Sequence, residues 1–521
     1  MNMDQSKLKF VVAGLLLAML MASMDNTIVV TAMGTIVGDL KGLDSFVWVI
    51  SAYMVAEMAG MPIFGKLSDM YGRKIFFLMG MILFLLGSIL CGISTNITEL
   101  SIFRAMQGVG GGALIPIAFT IVFDIFPPEK RGKMGGIFGA VFGLSSIFGP
   151  LLGAFITDNL SWHWVFYINL PLGIIGFILV ALFYKESSKH QKQKIDWFGA
   201  ITLVGAVVCL MFALELGGKK YEWSSTEIIS LFIGFIILFL AFIVIETKAK
   251  EPIISFKMFK NRLYAGSTLV GMFYGATFMA ATTYIPIFIQ GVHGGSATNS
   301  GLLLLPMMLS STISAQAGGF LATKMSYRNV MFLSAIITIV GVCLLGTLGP
   351  ETSRFLITIY MIIVGLGVGF SFSVLGMAAI HSFGVEQRGQ ASSTSNFMRS
   401  IGMTVGVSIY GTIQNNEFSD LLKESLKKLS TSMGNHYKTG IKVDPNGLLT
   451  EQTRKMMPPE ILHRIIDALS TSIVHTFLWS LCPAVLAFVF IFIMGKERLV
   501  AHQTQPSGMM KETASTMKEE V

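Results

Sequence analysis

The stretch Gly65-Lys66-Leu67-Ser68-Asp69-Met70-Tyr71-Gly72-Arg73-Lys74 carries four charges in ten residues and separates two apolar runs, 45–64 and 75–94. Each run matches the ~20 residues that a helix needs to cross a ~30 Å hydrocarbon core. Two such runs joined by a short polar turn read as a membrane hairpin. Small residues stand where the chain must reverse. Asp69 is placed to accept from backbone N–H groups at a helix start, and Arg73 to bond a carboxylate on a neighbouring element.

The same pattern continues along the 521 residues. Twelve more runs reach spanning length: 10–32, 100–123, 134–156, 164–184, 197–216, 228–246, 263–289, 299–322, 330–348, 355–379, 391–413 and 472–494. The chain is 53% hydrophobic and 13% charged, where a soluble protein carries roughly 25% charged residues. The first run lacks a cleavage-type end and reads as a retained span rather than a signal peptide.

The net charge of +8 invites a nucleic-acid reading, but its distribution does not. With the N-terminus inside and loops alternating, 24 of the 38 Lys and Arg fall on the inner side and four in short outer loops. That bias places both termini in the cytoplasm and needs no nucleic acid. Anionic lipid is the expected partner of the basic excess. The four cysteines (Cys91, Cys209, Cys343, Cys482) lie far apart within apolar runs, so no disulfide or metal spacing exists. No phosphate-binding Gly-rich loop and no catalytic constellation is visible, so neither a cofactor nor an enzyme is expected.

Two halves echo each other. Gly108, Gly110 and Gly112 recur as Gly365, Gly367 and Gly369, and Glu129, Arg131 and Gly132 as Glu386, Arg388 and Gly389, all 257 residues on. Two patterns sharing one offset predict parallel repeats, a transporter device in which halves rock about a central site. The expected fold is an all-α membrane protein with 14 transmembrane helices: two six-helix bundles plus two inserted helices. The expected divisions are 1–184 for the first bundle, 185–262 for a linker and the inserted helices, 263–494 for the second bundle, and 495–521 for a cytoplasmic tail. An outer loop, 414–471, carries two helical amphipathic stripes, Phe418 to Leu429 and Ile461 to Leu469, which read either as a pair of helices lying over the outer mouth or as a surface hairpin at the interface.

The Gly65–Lys74 loop resembles the signature loop of the major facilitator superfamily. Arg104-Ala105-Met106-Gln107-Gly108-Val109-Gly110-Gly111-Gly112 resembles that superfamily's fourth-helix motif. Gly139, Gly143 and Gly149-Pro150-Leu151-Leu152-Gly153-Ala154 resemble its antiporter motif, with Ala154 in place of a glycine. Such glycines let helix backbones approach closely, and Pro150 frees a carbonyl. The resemblance sets this fifth helix against the other bundle. Asp25-Asn26-Thr27-Ile28-Val29, Trp162 to Gly173 and Asn396-Phe397-Met398-Arg399 are similar to the fourteen-helix drug/proton antiporter family of bacteria. Val30, Gly34 and His163 depart from that family's usual residues, which bears on substrate or gating more than on fold.

Charged groups inside spans are the functional candidates. A carboxylate there costs ~2.5–3.5 kcal/mol on insertion scales and usually lines a pathway. Asp25 lies about two turns from the outer end of its span and Arg104 about one turn from its own, so they can pair. Such a pair is either a proton site or a static structural bridge. Glu57, mid-span, suits cation binding or proton carriage, or is a carboxyl held protonated. Glu215 reads as a solvated interface acid, Asp124 and Glu129 as gate or loop anchors, and His293 and His381 as surface groups. Gly65, Asp69, Gly72, Arg73 and Lys74 form the expected inner gate, and Gly143, Gly149, Pro150 and Gly153 the antiporter helix. Met24, Met54, Met58, Phe278, Met279, Tyr284, Met307 and Met308 are cavity candidates, because Met and aromatic side chains make adaptable apolar surfaces.

The resemblance implies a monomeric, proton-coupled antiporter of the bacterial plasma membrane that exports hydrophobic, often cationic compounds by alternating access. An exporter of one endogenous metabolite, lipid or siderophore is the alternative within transport. A non-transporting membrane sensor or scaffold is the alternative outside it.

Overall fold

A computed structural model describes residues 5–40, 47–186, 195–218, 220–294, 297–433 and 459–498. The helices run α1 (Gln5–Leu40), α2 (Val47–Tyr71), α3 (Arg73–Gly92), α4 (Ile97–Ile125), α5 (Pro128–Asn159), the short α6 (Trp164–Tyr167) and α7 (Asn169–Phe183). Then come α8 (Trp197–Leu216) and α9 (Thr226–Lys248). They are followed by α10 (Arg262–Gly291), α11 (Ala297–Lys324), α12 (Tyr327–Leu345), α13 (Arg354–His381), α14 (Arg388–Met433), α15 (Pro459–Trp479) and α16 (Leu481–Ile491). Among the described residues no β-strand occurs, only an isolated bridge between Gly217 and Tyr221.

Every apolar run read from the sequence is helical. Among the described residues, twelve helical segments are long and apolar enough to cross a membrane, with α6–α7 and α15–α16 each making one. The long α14 is richer in polar residues, and the first turns of α11 carry side chains outside the described residues, so the number of long helices lies between twelve and fourteen. Side chains of the helix starts close the free backbone donors. Asn96, Asp196, Ser225, Asn261, Ser326 and Ser353 each accept from an N–H of the following turn. Apolar side chains also cover the outside: Ile237 and Leu240 of α9 are 60% and 56% exposed. A continuous apolar exterior is what a membrane covers.

The 257-residue offset reappears as geometry. A Cβ on Gly108 or Gly112 would strike the backbone of Tyr53 or Glu57 on α2, and one on Gly365 or Gly369 the backbone of Met307 or Ser311 on α11. Gly110 faces α3 at Phe84, and Gly367 faces α12 at Thr338. Arg131 Nε donates to Phe126 O at 3.0 Å, and Arg388 Nε to Phe383 O at 3.2 Å. The two glycine faces thus seat α4 between α2 and α3, and α13 between α11 and α12. Only a missing side chain allows backbones this close.

Two expectations need correction. The region 414–471 does not begin as a loop. α14 continues unbroken to Met433, 46 residues in all, or ~69 Å at 1.5 Å per residue. Phe418 and Leu422 of this extension pack in one apolar cluster with Ile465 and Leu469 of α15. Gln414 Nε2 donates to Ser472 Oγ at 3.3 Å, and Glu417 pairs with His475. The two amphipathic stripes therefore belong to prolongations of spanning helices and cover each other. Residues 434–458, between them, lie outside the described residues.

The α5 glycines divide their work differently from expectation. The helix does abut the second half, but through Gly136, Gly139 and Gly143, which face Gln316, Ala315 and Thr312 of α11. Gly149 and Gly153 face Thr27 and Thr31 of α1, within the first half. Thr27 Oγ1 also donates to Ser145 O at 3.2 Å, fixing α1 on α5.

Gly149→Leu is therefore expected to destabilise the purified protein by the ~1–3 kcal/mol that overpacking costs, read as a lower melting temperature. Gly136→Leu is expected to leave melting nearly unchanged and to raise labelling of a cysteine introduced near the α2–α3 turn, by opening the α5–α11 seam. Equal melting losses in both variants would contradict this division.

Candidate functional site

Asp25 of α1 is fully buried, as is Arg104 of α4 at 1% exposure. Neither charge can remain alone in an apolar interior, and they form an ion pair through Asp25 Oδ2 and Arg104 Nη1. Asp25 Oδ1 accepts from Gln107 Nε2 and from Asn169 Nδ2, both at 2.8 Å. Gln107 and Asn169 also donate to Ser88 Oγ at 3.1 and 2.9 Å. Arg104 Nη1 donates to Gln107 Oε1 at 2.7 Å, and its Nε to Val49 O at 3.3 Å. Its guanidinium lies 4.2 Å from the Tyr53 ring centroid, a cation–π contact. One network thus ties α1, α2, α3, α4 and α7 around a single carboxylate. Gln107 and Asn169 lie within the quoted motifs, but neither stands out as a candidate from the sequence.

Beside this network lies a cavity of about 810 Å³ between α1, α2, α5, α8, α10 and α14. Along α2 its lining runs from Ser51 to Met61, and along α14 from Asn396 to Asn416. It therefore ends in mid-structure on one side and reaches, on the other, the end opposite the α2–α3 turn. Ser23 and Asn26 line it, whereas Asp25 does not. Glu57 does line it, and the Asn26 side chain hydrogen-bonds its carboxyl. Glu57 and Asp25 are therefore separated by one hydrogen bond and one peptide unit.

The lining is rich in methionine and poor in charge. Met54, Met58, Met279 and Tyr284 of the expected set line the cavity. Met24, Met307 and Met308 are buried in helix packing instead, and Phe278 packs edge-on against Phe372, with ring centroids 5.7 Å apart. Glu215 and Trp223 stand at the mouth and Arg399 lines the interior. Trp223 and Arg399 are not among the expected cavity residues, because nothing in their neighbourhood of the sequence tells which way a helix or loop turns them. His293 and His381, expected at the surface, are partly buried, and His381 Nδ1 lies 3.2 Å from Tyr327 Oη.

The opposite end is closed. Asp69 Oδ1 and Oδ2 accept from Gly389 N at 2.9 Å and Gln390 N at 2.8 Å, at the start of α14. Arg73 Nη2 lies 3.2 Å from Asp69, and Arg73 also bonds Val385 O and Asp124. Arg388 Nη1 donates to Asp124 Oδ1 at 3.1 Å. Asp124 is thereby shared by two arginines, one from each half. Lys74 Nζ donates to Ala181 O at 2.6 Å. Gly72 has φ 119, which a side chain would strain. A Cβ on Gly65 would strike Ser393 and the Gly389 carbonyl, so the α2–α14 contact requires glycine there. The expected gate residues gather here. The side chain of Glu129 lies outside the described residues.

Comparison with known proteins agrees with this architecture. The Major Facilitator Superfamily description matches residues 15–407. The chain is 56% identical over 495 residues to Multidrug resistance protein 3 of Bacillus subtilis (strain 168), covering 95% of this chain and 96% of that protein. It is 39% identical over 483 residues to the Multidrug transporter protein MdtP of the same organism, covering 91% and 89%. Among solved structures, the proton:xylose symporter XylE superposes with a TM-score of 0.59 at 11% identity, over 96% of this chain and 98% of that one. The human organic anion transporter MFSD10 does so with 0.57 at 13% identity, over 93% and 99%. The helical fold, the repeat and these matches lead to one assignment: the chain belongs to the major facilitator superfamily and is a multi-pass membrane transporter, not an enzyme.

Proposed function

We propose that this protein exports hydrophobic, cationic drugs from the bacterial cell in exchange for protons. It works by alternating access, as a monomer with fourteen spans and both termini in the cytoplasm. The two relatives named above as multidrug proteins support drug export. The observation that carries the mechanism is the placement of two carboxylates: Glu57 in a methionine-lined cavity, and Asp25 sealed directly behind it.

The proposed division of labour follows from access. Glu57 meets the cation of the substrate, because it alone of the two faces the cavity. Asp25 carries the exchanged proton. When Asp25 is ionised it holds Arg104 and ties α1 to α4. A proton on Asp25 removes that charge. Leaving one member of a buried pair uncompensated costs ~3–5 kcal/mol, enough to change which arrangement of the helices is preferred. Arg104 keeps Gln107 and the Val49 carbonyl, so α2 and α4 stay joined while α1 is released. Substrate charge at Glu57 and the charge on Asp25 sense each other across Asn26, which couples the two ligands. Coupling requires only that each ligand favour one state over the other.

The arrangement described here is outward-facing in this reading. The cavity opens to the outside, and the Asp69–Arg73–Asp124–Arg388 cluster closes the cytoplasmic end. The halves 1–184 and 263–494 rock about the cavity, and α8 and α9 add a wall at its mouth. Opening the cytoplasmic end would break the Asp69–Gly389, Asp69–Gln390 and Asp124–Arg388 bonds together.

Transport in everted vesicles under an imposed pH gradient tests the reading. Asp25→Asn is expected to abolish gradient-driven accumulation of a cationic dye while inserting normally, because an amide does not titrate. Glu57→Gln is expected to raise the half-saturating concentration of monocationic substrates roughly tenfold, the scale of one lost charge-assisted contact. Full accumulation by Asp25→Asn would refute the coupling role. For the gate, Asp69→Asn or Arg73→Ala is expected to slow turnover several-fold with dye affinity little changed. Normal turnover in both would show that the cluster does not gate.

A further inference from the structure

Arg399 has no place in the mechanism above, yet it lines the same cavity as Glu57. It sits on α14 where Gly275 of α10 comes close: a Cβ on Gly275 would lie 2.6 Å from Arg399 O. Its guanidinium donates from Nη2 to Asn396 Oδ1 at 2.9 Å and lies 5.9 Å from the Phe372 ring centroid. Of five N–H donors in a guanidinium fork, one is thereby used inside the protein. No acidic side chain adjoins Arg399 among the described residues. Arg104, the other arginine within an apolar run, has an acid partner in Asp25 and also donates to Gln107 and Val49. An unmatched arginine at membrane depth is costly and characteristically faces a pathway.

The register of α2 against α14 places the two cavity charges. Met61 Sδ lies 4.0 Å from Ser400 Oγ, and Met58 Sδ 3.8 Å from Thr404 Oγ1. Arg399 is thus level with Met61, about one helical turn (~5.4 Å) deeper than Glu57. The two form no ion pair with each other. Met58, Met61 and Met279 line the cavity with them. The site therefore has an anion near mid-depth, an apolar middle and a cation at its floor. A simple hydrophobic cation satisfies Glu57 and is repelled by Arg399; a simple anion meets the reverse.

We propose that the cavity selects amphipathic zwitterions, seating the cationic end at Glu57 and a carboxylate on the guanidinium fork of Arg399. The planar fork matches a carboxylate with two parallel bonds. The inference rests on the export reading and refines its substrate class.

Rhodamine B and its ethyl ester differ in one carboxylate, the first being zwitterionic and the second monocationic. Fluorescence polarisation with the full-length protein in lipid nanodiscs is expected to show tighter binding of rhodamine B. Arg399→Gln is expected to weaken rhodamine B binding tenfold or more and to tighten binding of the ester, because a repulsive charge is gone. Arg399→Lys is expected to retain part of the preference for rhodamine B, and Glu57→Gln to weaken both dyes. Equal losses for both dyes in Arg399→Gln, or a wild-type protein that does not discriminate between them, would overturn the proposal. A separate assay of proton-driven ester accumulation reports on the export reading by itself, so the two failures are distinguishable.

Discussion

An ionised carboxylate in a membrane interior must have a partner, and the placement of Asp25 against Arg104 is the constraint around which the first half is organised. The pair brings α1 to α4. Gln107 and Asn169 complete the acceptor sites of Asp25 and draw in α7, and Ser88 adds α3. Tyr53 and the Val49 carbonyl hold the far side of Arg104 against α2. These helices meet closely because Gly108, Gly110 and Gly112 leave room for backbone contact on two sides of α4. The second half repeats the glycine geometry through Gly365, Gly367 and Gly369 but has no such ion pair at the equivalent place. Two halves with one architecture thus carry different side chains, and the buried ion pair lies in the first.

The cavity shows how the same constraint is used a second time, incompletely. Glu57 and Arg399 both line the cavity between the halves. Each is held by a neutral amide, Asn26 for the acid and Asn396 for the base. Asp25 and Arg104 neutralise each other, whereas Glu57 and Arg399 line the cavity without pairing; in the proposed reading a ligand neutralises them. The opposite end follows a third arrangement. Arg73 pairs with Asp69 and Asp124 within the first half, and both carboxylates also accept across the seam, Asp69 from the Gly389 and Gln390 N–H groups and Asp124 from Arg388.

Much of this was legible in the sequence, for physical reasons that can be named. Spanning helices announce themselves by length and apolarity. Glycines spaced two apart at a common offset mark close packing twice over. A lone acid and a lone arginine at similar depth predict each other. Other features could not be read. The stripe that starts at Phe418 reads as helical, but its unbroken continuation from α14 and its packing on α15, distant in sequence, do not show in it. Gly143 and Gly149 look alike in one motif, yet they face different helices, because which neighbour a helix face meets is set by tertiary packing. Asn169 and Gln107 resemble ordinary polar residues until the fold brings them to Asp25. Arg399 was visible as a charge within an apolar run, but its opening onto the cavity of Glu57 depends on the α2–α14 register.

The central claim of the proposal is that a substrate cation at Glu57 and a proton on Asp25 oppose each other across Asn26. Proton release on substrate binding tests it most directly. The purified protein in weakly buffered solution, acidified until dye binding weakens, is mixed with a monocationic dye, and a pH indicator follows the free protons. The account predicts release that saturates with dye binding and disappears in Asp25→Asn, although that variant still binds dye. Dye binding without proton release in the wild-type protein, or undiminished release in Asp25→Asn, would contradict it.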